Sequence, residues 1–293
     1  MIKKILFCAA FCLAAVLCLG GMELTVLGGL GNASFDTKST SPMGNGEFEG
    51  TLYPFVRMRL DETVSDSVEF SGTMERDPIL KNRLGAEAKI SAGLFAVSAG
   101  PVLGLFNSGE SVIRPGVQAG ITFELPGIVF AALNAGSTFG SPESEGDYEA
   151  RHGRLELGFW LPNIVNTLSI SEKNYDSREK ENLDVRNKIL RYHYSADVYA
   201  KNVPYRVVLN LGYQTLTRSI VNRAAFTVEE DVYNIIFLGA ETSFNVRPNL
   251  RLIFGGETPV YSWGKKPLTK KDKLILFEAY AGFTYTIERR SPQ

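Results

Sequence analysis

The sequence predicts an all-β chain, a transmembrane antiparallel up-and-down β-barrel of about fourteen strands, with twelve as the alternative count. Three observations carry this. Apolar residues recur at every second position, while no stretch after Gly21 is long and apolar enough to span as a helix. Turn-forming residues punctuate the alternation at short intervals. The polar face carries a charge on nearly every expected strand, opposite a face that keeps large aromatics.

Residues 1–21 read as a secretory signal, which leaves 22–293 as the barrel. Lys3 and Lys4 supply the positive start, Ile5 to Leu19 the apolar run, and Cys18, Gly20 and Gly21 the small residues at which a signal peptidase cuts. The run is too short to span, since a spanning helix needs about 20 apolar residues. A lipoprotein signal is the competing reading because Cys12 and Cys18 lie in the run. Phe11 and Leu17 precede them, however, where lipidation wants a small residue. All three cysteines, Cys8, Cys12 and Cys18, fall inside this segment, so the exported part carries neither disulfide nor thiolate metal site. Without Lys3 and Lys4 the remainder has 29 basic and 32 acidic residues, and this balance speaks against a nucleic-acid partner.

Strands are expected at 23–35, 46–60, 64–76, 79–92, 95–106, 112–124, 128–138, 148–161, 164–173, 186–201, 205–217, 229–246, 249–258 and 272–288. The last shows the pattern best: Phe277, Ala279, Ala281, Phe283 and Tyr285 alternate with Glu278, Tyr280, Gly282 and Thr284. In the eleventh, Tyr205, Val207, Leu209 and Leu211 alternate with Arg206, Asn210 and Gly212. In the fourth, Leu84, Ala86, Ala88 and Ile90 face away from Lys81, Arg83, Glu87 and Lys89. Tight turns are expected at Asp61–Thr63, Gly93–Leu94, Pro126–Gly127, Pro162–Asn163, Asn202–Pro204 and Arg247–Pro248. Between them lie longer polar loops near 37–45, 107–111, 139–147, 174–185, 218–228 and 259–271, and one short connection at Asp77–Pro78. An even count returns both termini to one side, with short turns toward the periplasm and loops outside.

The aromatics fall near strand ends. Phe95, Phe123, Phe159, Tyr205, Phe244 and Tyr285 gather toward the turns; Phe48, Tyr192, Tyr194, Tyr213 and Phe277 gather toward the loops. Two such bands are the girdles of a membrane barrel. A soluble β-sandwich or lipocalin also alternates, but it buries its large residues and turns its charges to water.

Parity sends a set of charges inward. Arg57, Arg59, Lys81, Arg83, Glu87 and Lys89 come from the second and fourth strands, and Arg114, Arg154 and Glu156 from the sixth and eighth. Arg191, His193, Asp197 and Arg206 come from the tenth and eleventh, Glu241 and Glu278 from the twelfth and fourteenth. Charges facing lipid would each cost up to about 2–4 kcal/mol, so these residues are expected to line a water-filled pore. Inward acids and bases nearly balance, which predicts weak gross ion selectivity. The acids crowd the seam where first and last strands meet, and bases dominate strands four and eleven, which predicts a transverse field.

Of the two histidines, His193 shares a strand face with Ser195 and Asp197. The trio resembles the His-x-Ser spacing of outer-membrane phospholipase A. It points to the lumen rather than to lipid, Ala196 and Asp197 follow where that family has Asn-Gly, and no turn offers an oxyanion hole. His152 and His193 could sense pH, but ordinary lumen lining suits them better. The run Val26 to Gly31 precedes no helix and is no phosphate loop. No catalytic residue, cofactor or metal site is expected.

Strand count, length and hairpin rhythm make the exported part resemble the fourteen-stranded monomeric porins of the outer-membrane protein G type. Its style is similar to that of spirochaete outer-membrane proteins. The segment from Tyr280 to Ile287 is similar to the last-strand signal read by the barrel-insertion machinery: a polar residue, Gly282 two later, then Tyr285 and Ile287 three and five beyond the glycine. It departs in running on from Glu288 to Gln293, where bacterial barrels commonly end on an aromatic. The resemblance implies a monomer in the bacterial outer membrane, with membrane lipid, the insertion machinery and small polar solutes as partners. The expected function is passive diffusion of small polar solutes through a water-filled lumen. The alternative is a non-conducting barrel that acts as a surface binding or adhesion scaffold through its extracellular loops.

Overall fold

The computed structural model describes residues 21–31, 53–77, 81–108, 110–141, 146–180, 182–199, 203–264 and 277–287. They form fourteen strands: β1 (Gly21–Gly31), β2 (Tyr53–Ser65), β3 (Val68–Asp77), β4 (Lys81–Ala92), β5 (Phe95–Ser108), β6 (Glu110–Leu125), β7 (Val129–Thr138), β8 (Tyr148–Leu161), β9 (Ile164–Lys180), β10 (Leu183–Tyr199), β11 (Tyr205–Asn222), β12 (Thr227–Arg247), β13 (Leu250–Gly264) and β14 (Glu278–Ile287). Each pairs antiparallel with its chain neighbours, and β1 closes the barrel on β14 with Met22 opposite Ile287 and Gly31 opposite Glu278. Closure removes the unpaired edge that lipid cannot solvate. The count is fourteen, not twelve.

Tight reversals follow the residues that tolerate them. Gly93, Gly127 and Asn163 take positive φ of 60°, 74° and 66°, a region open to glycine and asparagine. One expected turn is misplaced. Asp61–Thr63 lies inside β2, and the chain reverses at 66–67 instead. Asp61 points inward and accepts from Arg59 Nε at 2.6 Å, so its charge serves an ion pair rather than a turn. Residues 1–20 of the expected signal segment 1–21, Phe48 and the other residues of 46–52, and 272–276 lie outside the described residues, while Gly21 is the first residue of β1.

The outward side chains divide into three zones. At the turn end Phe95 meets Phe123 with centroids 5.3 Å apart, and Phe244 stacks on Phe254 at 6.0 Å. At the loop end Tyr192, Tyr213, Trp263 and Tyr261 form a continuous row with spacings of 6.1, 5.7 and 5.6 Å. Between the rows lie exposed aliphatics such as Val97, Ile121, Leu157, Leu209 and Leu238. Tyr205 to Tyr213 is a rise of eight residues, which at about 3.3 Å each and about 40° of tilt spans about 20 Å along the axis, most of the ~25 Å apolar band of a membrane barrel.

Beyond the loop-end row, polarity inverts. Outward positions become Glu172, Asp176, Arg186 and Lys188, with Lys188 Nζ 2.9 Å from Glu172. Inward positions become largely apolar: Val185 is buried, and Tyr175, Leu216 and Tyr233 join Phe106, Tyr148, Ala150 and Ile235 in an apolar core among the described residues. Phe106, Tyr148 and Tyr175 stack on one another at 5.5–5.6 Å. Here β8 to β12 rise out of the bilayer into water. Their outer face is solvated and their inner face packs like a soluble sheet. The stretches 174–185 and 218–228, expected as loops, are therefore mostly strand.

The lumen as candidate functional site

The ladder fixes which side chains share the inner face. Arg57 stands opposite Glu75, which stands opposite Arg83; Glu69 stands opposite Lys89; Arg154 stands opposite Ser171, and Ser171 opposite Arg191. The same parity places Arg59, Glu87, Arg114, Glu156, His193, Asp197, Arg206, Glu241 and Glu278 inward. Lys81 shares that register, opposite Asp77, but its side chain lies outside the described residues.

Six of these come together around a central chamber of 470 Å³: Arg57, Arg83, Arg154, Arg191, His193 and Glu278. Glu75, His152, Lys173, Glu257, Ser169 and Ser171 are among its other charged and polar lining, and the Phe237 ring joins them. The others lie elsewhere. Arg59 joins Glu23, Asp61 and Glu69 around a second space of 560 Å³ at the turn end, where Lys89 Nζ reaches Glu69 at 3.2 Å. Arg206 forks onto Asp197 near the same end.

Long side chains lie along the wall and do not cross the centre. Arg57 Nη1 and Nη2 donate to Glu278 at 2.7 and 2.9 Å, bridging over β1. Arg191 Nη2 donates to both oxygens of Glu257 at 2.8 and 2.7 Å, bridging over β11 and β12. This second reach is possible because Gly212 leaves room for the Phe237 ring to lie flat, where a Cβ would strike it, and Arg191 rests 3.9 Å above that ring. In the same way Tyr280 lies over Gly255 and donates to Glu241 at 2.8 Å. Arg83 is shared between Glu75, at 3.3 Å, and Gln118. The wall is a lattice of held charges around open space.

His193, Ser195 and Asp197 share a face but form no relay. His193 stacks on Phe237 at 6.1 Å and Asp197 is engaged by Arg206, so the carboxylate does not orient the imidazole. Among the described residues no group of three or more metal-ligating side chains is present.

At the loop end Arg114 meets Asp147, which also accepts from the N–H groups of Ser141 at 2.9 Å and Tyr148 at 2.7 Å. Burial pushes this carboxyl up. The Arg114 side chain and the two backbone donors outweigh burial and hold it below the usual carboxylate range. The clamp fixes the start of β8, and with it Tyr148 in the apolar core.

Sequence parity located the charges but not their partners, and it did not mark Phe237 or the apolar core as parts of the lumen. The signal for that core was present in part, because Leu183, Val185 and Ile189 alternate with Asp184, Arg186 and Lys188, interrupted on the apolar face by Asn187.

No family model matches the chain, and no curated relative matches it. Solved structures do. An outer-membrane channel from Pseudomonas putida F1 is 10% identical with a TM-score of 0.52, covering 92% of this chain and 96% of its own. A porin is 10% identical over 91% of this chain and 99% of its own, with a TM-score of 0.43. A channel described as the CymD monoaromatic hydrocarbon channel is 8% identical over 94% and 91%, with a TM-score of 0.40. The first is near enough to speak to the fold. That fold and the lipid-suited belt between two aromatic rows make this chain a β-barrel of the bacterial outer membrane.

Proposed function

We propose that the barrel is a diffusion pore for small polar solutes. The observation that carries this reading is the central chamber, where the ion pairs Arg57–Glu278 and Arg191–Glu257 and the space left by Gly212 accompany 470 Å³ that stays open among charges. Charges lining open space at this depth suit a water-filled path. Arg57, Arg83, Arg154, Arg191, His193 and Glu278 line its middle, and Arg59, Glu87, Lys89, Asp197, Arg206 and Glu241 its turn-end half. Arg114 belongs to the loop-end mouth. The reading includes removal of a signal near Gly21, insertion through the last strand, and passage by a single monomeric barrel.

One observation favours a rival. The core of Phe106, Tyr148, Tyr175 and Leu216 fills the β5–β12 side of the loop-end lumen with side chains about 1% exposed. A barrel closed there would serve as a surface scaffold for binding or adhesion through its loops. Planar-bilayer recording separates the two: stepwise single-channel current supports the pore, and a refolded, heat-modifiable barrel that never conducts supports the scaffold.

A further inference from the structure

The turn-end half of the lumen holds an aromatic corner that plays no part in the central chamber. Phe130 on β7 and Trp160 on β8 follow the inner-face parity, since their neighbours Val129 and Phe159 are paired on the outer face. The two rings stand 5.1 Å apart and are tilted by 59°. Gly158 permits this, because a Cβ there would strike the Phe130 ring, which lies across the strand that carries Trp160. Covering that glycine accounts for Phe130. It does not account for a tryptophan, the ring with the strongest cation–π face, on a wall that meets water. Both rings are half-buried rather than sealed.

Carboxylates border the corner. Glu124 on β6 is exposed and stands directly opposite Phe130, a register that places the two Cβ atoms about 5 Å apart. Glu156 is the next inward residue on β8 beyond Gly158, and Asp197 shares the row of Trp160 through Val165. These two already hold the nearest bases, Glu156 meeting Arg154 at 2.6 Å and Asp197 meeting Arg206. Tilted π faces beside a carboxylate suit an organic ammonium group, whose alkyl carbons lie on the rings while its charge is met by the ring quadrupoles and the acid. The inward residues next to the rings, Ala132 and Val165, have no side-chain hydrogen-bonding group, which favours an alkylated cation over a sugar.

We propose that Phe130, Trp160 and Glu124 form a low-affinity site for small alkylammonium solutes in the turn-end half of the lumen. The site rests on the assignment of the inner face, and its use in transport rests on the pore reading. Weak binding is what a passing site requires, since a solute must leave as readily as it enters.

Tryptophan emission tests it. The chain has two tryptophans, and Trp263 stands in the outer aromatic row, so Trp263→Phe leaves Trp160 as the only indole. That barrel, refolded in octylglucoside micelles, which carry no choline groups, is titrated with choline chloride. Expected is a saturable change in emission that equal sodium chloride does not produce and that dimethylbutanol, the uncharged carbon isostere of choline, produces only weakly. Glu124→Gln should weaken choline about threefold, Phe130→Leu about tenfold, and Glu124→Lys should abolish the response. Heat-modifiable mobility verifies that each variant folds, and the Glu124 variants carry the test if Phe130→Leu does not. No response to choline overturns the site, as does an equal response to the isostere or a choline response untouched in both Glu124 variants. A barrel that binds choline at Trp160 but never conducts in a planar bilayer supports the site and overturns the pore reading alone.

Discussion

Leu209 and Ser195 offer a direct measure of which face meets lipid. Leu209 lies midway between Tyr205 and Tyr213 on β11, points outward and is 53% exposed in the isolated barrel. Ser195 on β10 is paired one step away, opposite Asn210, and points into the lumen. Arginine placed at the bilayer midplane costs about 2–4 kcal/mol, so Leu209→Arg should lower the ratio of folded to unfolded barrel by roughly 30- to 700-fold. Ser195→Arg puts the same charge into water near Asp197 and should cost less than about 1 kcal/mol. Urea titration of the protein refolded into phosphatidylcholine vesicles, followed by the fluorescence of its two tryptophans, reads both changes. Equal losses, or the larger loss at Ser195, would sink the assignment of inner and outer faces and everything built on the lumen.

Two further expectations concern the loop end. Asp147 is held below its ordinary value, so its clamp on Arg114 is fully present above the unfolded carboxyl value of about 3.9 and is lost as pH falls through the lower folded value. Protease should thus cut the connection between β7 and β8 only in strongly acid medium, whereas Asp147→Asn should admit it at pH 7; resistance of the variant at pH 7 would show that the clamp does not hold the connection. Epitope tags at Lys180 and Thr269 should bind antibody on intact cells while one at Asn163 stays hidden until the membrane is broken, and reversed labelling would exchange turns and loops.

Most of the barrel was legible because lipid and lumen impose opposite demands on successive residues. From β4 to β8 the expected and observed boundaries differ by about two residues, since Gly93, Pro126, Gly127 and Asn163 mark reversals that the backbone itself requires. Legibility failed where the surroundings change and the residues do not reveal it. Asn174 to Lys180 and Leu183 to Val185 read as polar loop because charge fell on the face assigned to lipid. Above the bilayer that face meets water, and the same alternation buries Tyr175 and Val185 on the other side. A period of two states which residues share a face but not which solvent the face meets. The length of a strand beyond its aromatic row decides the solvent: β11 continues nine residues past Tyr213, about 30 Å along the strand.

The site was legible as a set of charges and illegible as a field. Counting by strand puts acids at the seam and bases opposite, which predicts a transverse gradient. Three of the seam acids, however, are engaged by side chains of other strands. Glu278 is taken by Arg57 from across β1, Glu257 by Arg191 from across two strands, and Glu241 by the Tyr280 hydroxyl. Such reaches depend on what the intervening strands place inward. Gly212 and Gly255 let aromatic rings lie flat, and no rule of spacing announces that a glycine on one strand frees an arginine two strands away. Once those pairs are made, the field that a solute meets depends on the pairing as well as on the count. Charge sign in a lumen is thus decided by third-neighbour packing. A pairing register with its glycines marked predicts it better than any count of charged residues.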